Sequence, residues 1–394
     1  MRVAIDNLTS EKEHGGMFSA AKALLEGLAR IDQTNEYIVI TGRPKEYRAL
    51  ANVPNIRIQP VKLRTWRGLL IQHQLVLPDI LGKIQPDILH VPAFAAPIGW
   101  NGPLVLTVHD LAFLKVPEQS SLYARLYWKY LLRESVGRAQ RIIAISEQTR
   151  SELVTYWGVE TERIRVIHHA MRASLRHTNI SAQEIQAMQQ RYGGRYLLHT
   201  GRIMPRKNVG KLIEAFELLA PCFEDLHLVL TGGTGYRSEE VLQKIKSSFY
   251  RERMHLAGWL PDEELGPLYA GAEALVFPSR HEGFGLPTIE AMACGTPVIA
   301  SPEAASVEVA GDAVVRVDCS NACTMADAIA HVLTDTSLRE RLINLGRARA
   351  ASFTPEACAT ATLRVYQEVL DSYGSSKPQT VSNSTQSFSM KVSL

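Results

Sequence analysis

The chain has 394 residues, 46% hydrophobic and 21% charged, which exceeds one ordinary domain and suits two of roughly 180 residues, each with its own core. Its net charge is +3, and residues 1–175 carry 22 Lys/Arg against 16 Asp/Glu, a bias too weak for a nucleic-acid surface, so no nucleic-acid partner is expected. Five cysteines without a C-x-x-C pair argue against a disulfide framework or zinc site. No apolar run approaches the ~20 residues of a spanning helix, and the strand-like start lacks a signal-peptide core, so a cytoplasmic location is expected.

In chain order, short runs rich in Val, Ile and Leu predict strands at Arg2–Asp6, Tyr37–Thr41, Asp87–Val91, Leu104–His109, Arg141–Ser146 and Arg165–His168. A second series follows at Tyr196–Gly201, His227–Thr231, Met254–Ala257, Ala274–Pro278, Pro297–Ser301 and Ala313–Val317. Consecutive apolar positions suit strands covered on both faces. Helix-periodic stretches separate them, as in Gly16–Arg30, where Met17, Ala21, Leu24, Leu25 and Leu28 form one stripe. Strand–helix alternation implies parallel sheets with right-handed crossovers, and so many strands fit two Rossmann-like α/β domains better than one sheet. The polar stretch Ala170–Gly194, with a short helix at Gln183–Arg191, is the expected break. It divides an N-terminal domain, 1–172, from a C-terminal one, 190–353. A last helix is predicted at Thr354–Tyr373, with Thr354 as N-cap and Pro355 at the first helical position. The Ser/Thr/Gln-rich residues 375–394 are expected to be disordered.

Several motifs interrupt this pattern. Gly15-Gly16 opens the first helix, where glycines let backbone N–H groups approach an anion; a plain turn accounts for them equally well. His109-Asp110 follows the fourth strand; such a His can bond a sugar hydroxyl, and the Asp can orient it or touch the sugar. Gly201-Arg202, with Arg206-Lys207-Asn208, sets cations at a strand's carboxyl end, where a diphosphate would be held. Gly232-Gly233-Thr234-Gly235 is a weak dinucleotide signal, because no acid ends the next strand, which stops at Gly258-Trp259. Glu282 and Glu290 flank a turn and a helix opening near Gly285. Two acceptor-only carboxylates beside a helix N-terminus suit a ligand with hydroxyls at both ends and phosphate between.

The segment Glu282-Gly-Phe-Gly-Leu-Pro-Thr-Ile-Glu290-Ala-Met-Ala-Cys-Gly-Thr-Pro-Val-Ile-Ala-Ser301 resembles the signature of family-4 retaining glycosyltransferases, whose two-domain fold is called GT-B. The resemblance covers nearly the whole chain. It implies two Rossmann-like, doubly wound parallel-sheet domains facing a central cleft, with the last helix returning to the first domain. It implies that Glu282 and His109 act at the reacting sugar, with Asp110, Gly283 and Phe284 around it. The diphosphate would meet Gly15, Gly16, Arg202, Lys207, Gly285 and Leu286, and the nucleoside would meet Glu290, Gly258 and Trp259. The family's G-R-x-x-x-x-K-G pattern has Gly where this chain has Asn208, which leaves open whether Arg206 or Lys207 reaches the phosphate. The His109-Asp110-Leu111-Ala112-Phe113 block resembles mannose transferases of the family and favours GDP-mannose, with UDP-sugars and other NDP-hexoses open. No D-x-D triplet exists, so no metal or other cofactor is expected. The partners implied are the nucleotide-sugar donor and a glycan or lipid-linked acceptor. Arg64, Trp66, Arg67 and the stretch Tyr123–Arg133 mix aromatic and basic residues and suit either peripheral membrane contact or a packed helix with a cationic face. An epimerase of the same fold and a non-catalytic sugar-nucleotide binder remain alternatives.

Overall fold

The computed structural model describes residues 1–8, 15–62, 69–93, 95–116, 125–126, 128–176, 179–303 and 305–376. Arg64, Trp66, Arg67, Tyr123 and residues 377–394 lie outside the described residues.

Among the described residues, thirteen strands form two parallel sheets. The first contains β1 (Arg2–Asp6), β2 (Glu36–Thr41), β3 (Ile56–Pro60), β4 (Ile88–Val91), β5 (Leu104–Val108), β6 (Arg141–Ala144) and β7 (Ile164–Val166), in the order β3-β2-β1-β4-β5-β6-β7. The second contains β8 (Arg195–Thr200), β9 (Leu226–Thr231), β10 (Met254–Gly258), β11 (Ala274–Phe277), β12 (Val298–Ala300) and β13 (Val314–Arg316), in the order β10-β9-β8-β11-β12-β13. The twelve expected strands are present with ends shifted by at most two residues. The addition is β3. Its Ile-Arg-Ile-Gln-Pro alternates apolar with polar because it is a half-covered edge strand, so a search for consecutive apolar residues passes over it.

The helix Gly16–Ile31 is buried well beyond one stripe, including Phe18, Ala20, Ala23 and Gly27. The last helix, Pro355–Ser376, lies against it. A Cβ on Gly27 would sit 2.1 Å from the Pro355 carbonyl oxygen, so only glycine lets the two backbones meet. Tyr366 and Val369 join Val3, Leu25 and Leu28 in one core cluster, and the Thr354 hydroxyl caps the helix by accepting from Ala357 N at 3.0 Å. That helix continues to Ser376, two residues into the stretch expected to be disordered. In the connector, Ala182–Arg191 forms a helix opened by a reciprocal Ser181–Glu184 capping box.

Each sheet reverses its strand order once, between β1 and β4 and between β8 and β11. In open parallel sheets, ligands bind beyond the carboxyl ends of strands at such a reversal. The two reversals set where the candidate residues fall.

Candidate active site

β8 and β11 are hydrogen-bonded neighbours, so the loops that follow them emerge side by side. One carries Arg202 and Lys207, the other Glu282. These loops, those after β5, β9 and β10, and the start of the Gly16–Ile31 helix enclose a cavity of about 1140 Å³ between the sheets. All the candidate residues line it: Gly15, Gly16, His109, Asp110, Arg202, Lys207, Gly258, Trp259, Glu282, Gly283, Phe284, Gly285, Leu286 and Glu290.

At its centre, Glu282 Oε1 lies 2.6 Å from Arg206 and 2.7 Å from Lys207. Both cations therefore reach the same oxygen. Burial opposes ionisation of Glu282, but Arg206 and Lys207 outweigh it and hold the carboxyl down to about 2. Burial pulls the Lys207 ammonium below its ordinary range, Glu282 opposes that, and Arg206 adds to it. The ammonium also sits 4.7 Å above the Phe277 ring. Asn208 takes φ +56, a left-handed conformation that Asn tolerates better than most residues. Its amide also donates to the Cys319 carbonyl at 2.7 Å, which explains why Asn serves where glycine is usual.

The helix Leu286–Ala293 opens into the cavity, with Gly285 at its N-cap in the left-handed region, φ +89. Gly16 faces it, since a Cβ there would lie 3.5 Å from the Leu286 side chain. A Cβ on Gly283 would lie 1.7 Å from the His109 carbonyl oxygen. The Glu-Gly-Phe-Gly turn thus meets the first sheet's loop backbone to backbone.

His109 Nε2–H donates to the Pro92 carbonyl at 2.7 Å. That leaves Nδ1 to accept from His169 Nε2–H at 3.1 Å. Burial lowers the pKa of both imidazoles, that of His169 strongly, so both are neutral near pH 7. Both His109 nitrogens are engaged, and a sugar hydroxyl would have to replace His169. Asp110 does not orient the ring; its Oδ1 accepts from Ala112 N at 3.0 Å and caps the following turn.

Glu290 has partners that no spacing in the chain announced. Glu290, 2% exposed, accepts from Arg172 Nε at 2.7 Å on Oε1 and from the Tyr269 hydroxyl at 2.9 Å on Oε2. Arg172 also bonds Asp262 at 2.7 Å. Trp259 is 53% exposed at the rim. A Cβ on Gly233 would lie 2.7 Å from its indole nitrogen, and one on Gly235 the same distance from Arg202 Cδ. The Gly232–Gly235 run is therefore a close-packed turn under Trp259 and Arg202 rather than a dinucleotide fingerprint. Among the described residues, no group of three or more His, Cys, Asp or Glu is arranged to hold a metal ion, and no helix is long and apolar enough to cross a membrane.

Comparison with known proteins bears on family and fold. The family described as Glycosyltransferase Family 4 matches residues 14–174, and that described as Glycosyl transferases group 1 matches residues 182–349. The O-antigen chain mannosyltransferase B of Escherichia coli is 31% identical over 317 residues, covering 79% of this chain and 81% of that protein. Sucrose-phosphate synthase from Thermosynechococcus elongatus superimposes with a TM-score of 0.78 at 21% identity, over 94% of this chain and 100% of that one. HepE of Anabaena, solved with UDP-glucose, gives 0.73 at 18% identity over 95% and 100%. At such identities the structural likeness speaks for the fold, which is GT-B. With both halves matched in order and the relative aligned across most of its length, the chain belongs to the group 1, family-4 glycosyltransferases and is a hexosyltransferase.

Proposed function

We propose that the protein transfers mannose from GDP-mannose to a hydroxyl of a glycan or lipid-linked acceptor, with retention of anomeric configuration and without a metal ion. The observation that carries this reading is Glu282, buried and ionised between Arg206 and Lys207 at the mouth of the Leu286–Ala293 helix. A diphosphate entering there meets Arg202, Arg206, Lys207 and the helix dipole, which can supply the charge that a divalent cation would otherwise bring. Mannose is favoured by the His109–Phe113 block and by the mannosyltransferase name of the Escherichia coli relative.

In this reading the bond from C1 to the β-phosphate oxygen breaks, and its electron pair leaves with the nucleotide. The acceptor oxygen attacks C1 from the same face, and its proton passes to the departing phosphate oxygen. Glu282 contributes through charge rather than covalently. A carboxylate with a pKa of about 2, bound by two cations through one oxygen, is a weak nucleophile. A trapped glycosyl adduct on Glu282 would overturn this step. We assign the acceptor to the first sheet's side of the cavity, where Glu46, Phe113, Trp128 and Leu132 line the wall. The nearby exposed Leu126 and Tyr130, with Lys129 between them, extend the reading to peripheral contact with the cytoplasmic face of a membrane. Absence of flotation with anionic liposomes would remove that extension.

The whole reading is tested by a thermal-shift panel of nucleotides and nucleotide sugars in EDTA. Ligand at 100 times its dissociation constant stabilises by about 2.7 kcal/mol, so GDP-mannose is expected to raise the melting temperature by several degrees, and Glu290→Ala to lose most of that rise. No shift with any nucleotide sugar, or a shift only with added Mg²⁺ or Mn²⁺, would contradict it.

A further inference from the structure

We infer that Arg172 is a positioning residue for nucleoside recognition, aiming the Glu290 carboxylate at the two ribose hydroxyls of the donor. The inference rests on the proposed role of Glu290. It adds a residue from outside the nucleotide-binding sheet: Arg172 lies in the connector between β7 and β8, beyond either sheet.

An ionised carboxylate has about four lone-pair sites, two on each oxygen. Arg172 Nε takes one on Oε1 and the Tyr269 hydroxyl takes one on Oε2. One site per oxygen is left, which matches a vicinal diol donating two parallel hydrogen bonds. The arrangement is held from several sides. Nη1 of Arg172 is tied to Asp262 at 2.7 Å, and the preceding Met171 N donates to the Phe353 carbonyl at 3.0 Å. The guanidinium is thus a fixed fork rather than a swinging side chain, and its Glu290 bond is charge-assisted. Without it, a carboxylate only 2% exposed keeps a buried charge without a cation and gains freedom to turn about its last torsion. Arg172 and Glu290 both line the cavity that Trp259 also lines, so the carboxylate's orientation bears directly on the ligand.

The test compares GDP with 2′,3′-dideoxy-GDP by calorimetric titration, and UDP with its dideoxy counterpart in parallel. Two hydrogen bonds to a charged group predict that the wild-type protein prefers the ribonucleotide by about 100-fold. In Arg172→Gln the preference should fall below about 10-fold, mainly through weaker ribonucleotide binding, while dideoxynucleotide affinity stays within about 2-fold. Arg172→Lys, which keeps the charge but not the fork, should recover part of the preference. Tyr269→Phe, which removes only a hydroxyl from a buried ring, gives the same readout with less risk to folding and should also reduce it. If the wild-type protein shows no ribose preference, the assignment of Glu290 fails and this inference with it. If the wild type prefers ribose and Arg172→Gln and Tyr269→Phe keep the full preference, the assignment of Glu290 stands and the positioning role is refuted.

Discussion

Replacing Glu282 with glutamine tests the central charge cluster, because the shape is kept and only the charge is lost. Arg206 and Lys207 would then face each other in a buried setting with no anion between them. A carboxylate held from its ordinary 4.5 down to about 2 contributes on the order of 3 kcal/mol to the folded state. Removing one partner of a buried pair typically costs about 3–5 kcal/mol, so the two routes agree. Glu282→Gln should therefore lower the urea midpoint markedly at pH 7 in nucleotide-free protein. The folded-state pKa is depressed, so the wild-type advantage is complete above about pH 4.5 and disappears as the pH falls towards 2. The gap between wild type and variant should accordingly narrow in urea titrations at pH 4 and 3. GDP, whose diphosphate can replace the missing carboxylate, should stabilise the variant more than the wild type. Equal midpoints at pH 7, or a gap that does not change with pH, would refute the reasoning.

Other consequences are more local. Gly283→Ala places a methyl group 1.7 Å from the His109 carbonyl, so the two loops must part. Since displacement by about 1 Å at a reacting centre can cost 100-fold in rate, turnover should fall by that order with little loss in melting temperature; near-normal turnover would show that this approach is not needed. Glu308, beyond β12, accepts from Glu147 N at 2.8 Å and Gln148 N at 3.1 Å at the start of the Glu147–Trp157 helix and lies 3.3 Å from His168. It is one clasp of the second sheet on the first. Glu308→Ala should cost about 1–2 kcal/mol and enlarge the radius of gyration in solution scattering; an unchanged profile would count against a clasp. Burial opposes ionisation of Glu308, but His168 and the two backbone donors hold its pKa low. The wild-type clasp should thus persist above the ordinary carboxylate range and loosen in acid. Lys207→Ala should lower kcat by about 100- to 1,000-fold, measured as GDP release from GDP-mannose with acceptor present; a loss under tenfold would mean that Arg202 and Arg206 carry the leaving-group charge alone.

Much of the fold was readable because parallel strands buried on both faces appear as uninterrupted apolar runs, and β3 escaped because its Ile-Arg-Ile-Gln sequence alternates instead. The second-sheet motifs converge for a related reason. β8 and β11 adjoin across the sheet, so any polar residue just past either strand reaches the same place. The choice between Arg206 and Lys207 was left open in the sequence, and both reach Glu282 because a tight turn at Pro205–Lys207 presents the pair to one side. Arg172, Tyr269 and His169 were not readable in this way. They come from a connector, from the last turn of the Asp262–Ala270 helix and from the chain just past β7, and no local spacing links them to the residues they hold. Their positions follow from how the two sheets dock, and only tertiary structure records that. The same holds for His109, whose ring is turned towards Pro92 and His169 by packing that its own motif does not encode.

The most direct test of the account is transfer itself, carried out in EDTA with GDP-α-mannose and an oligomannose acceptor, with the new linkage read by NMR. The account predicts one GDP released per sugar transferred, an α-linked product, and a rate unchanged by added Mg²⁺ or Mn²⁺. A β-linked product, or turnover that begins only when a divalent ion is restored, would contradict it.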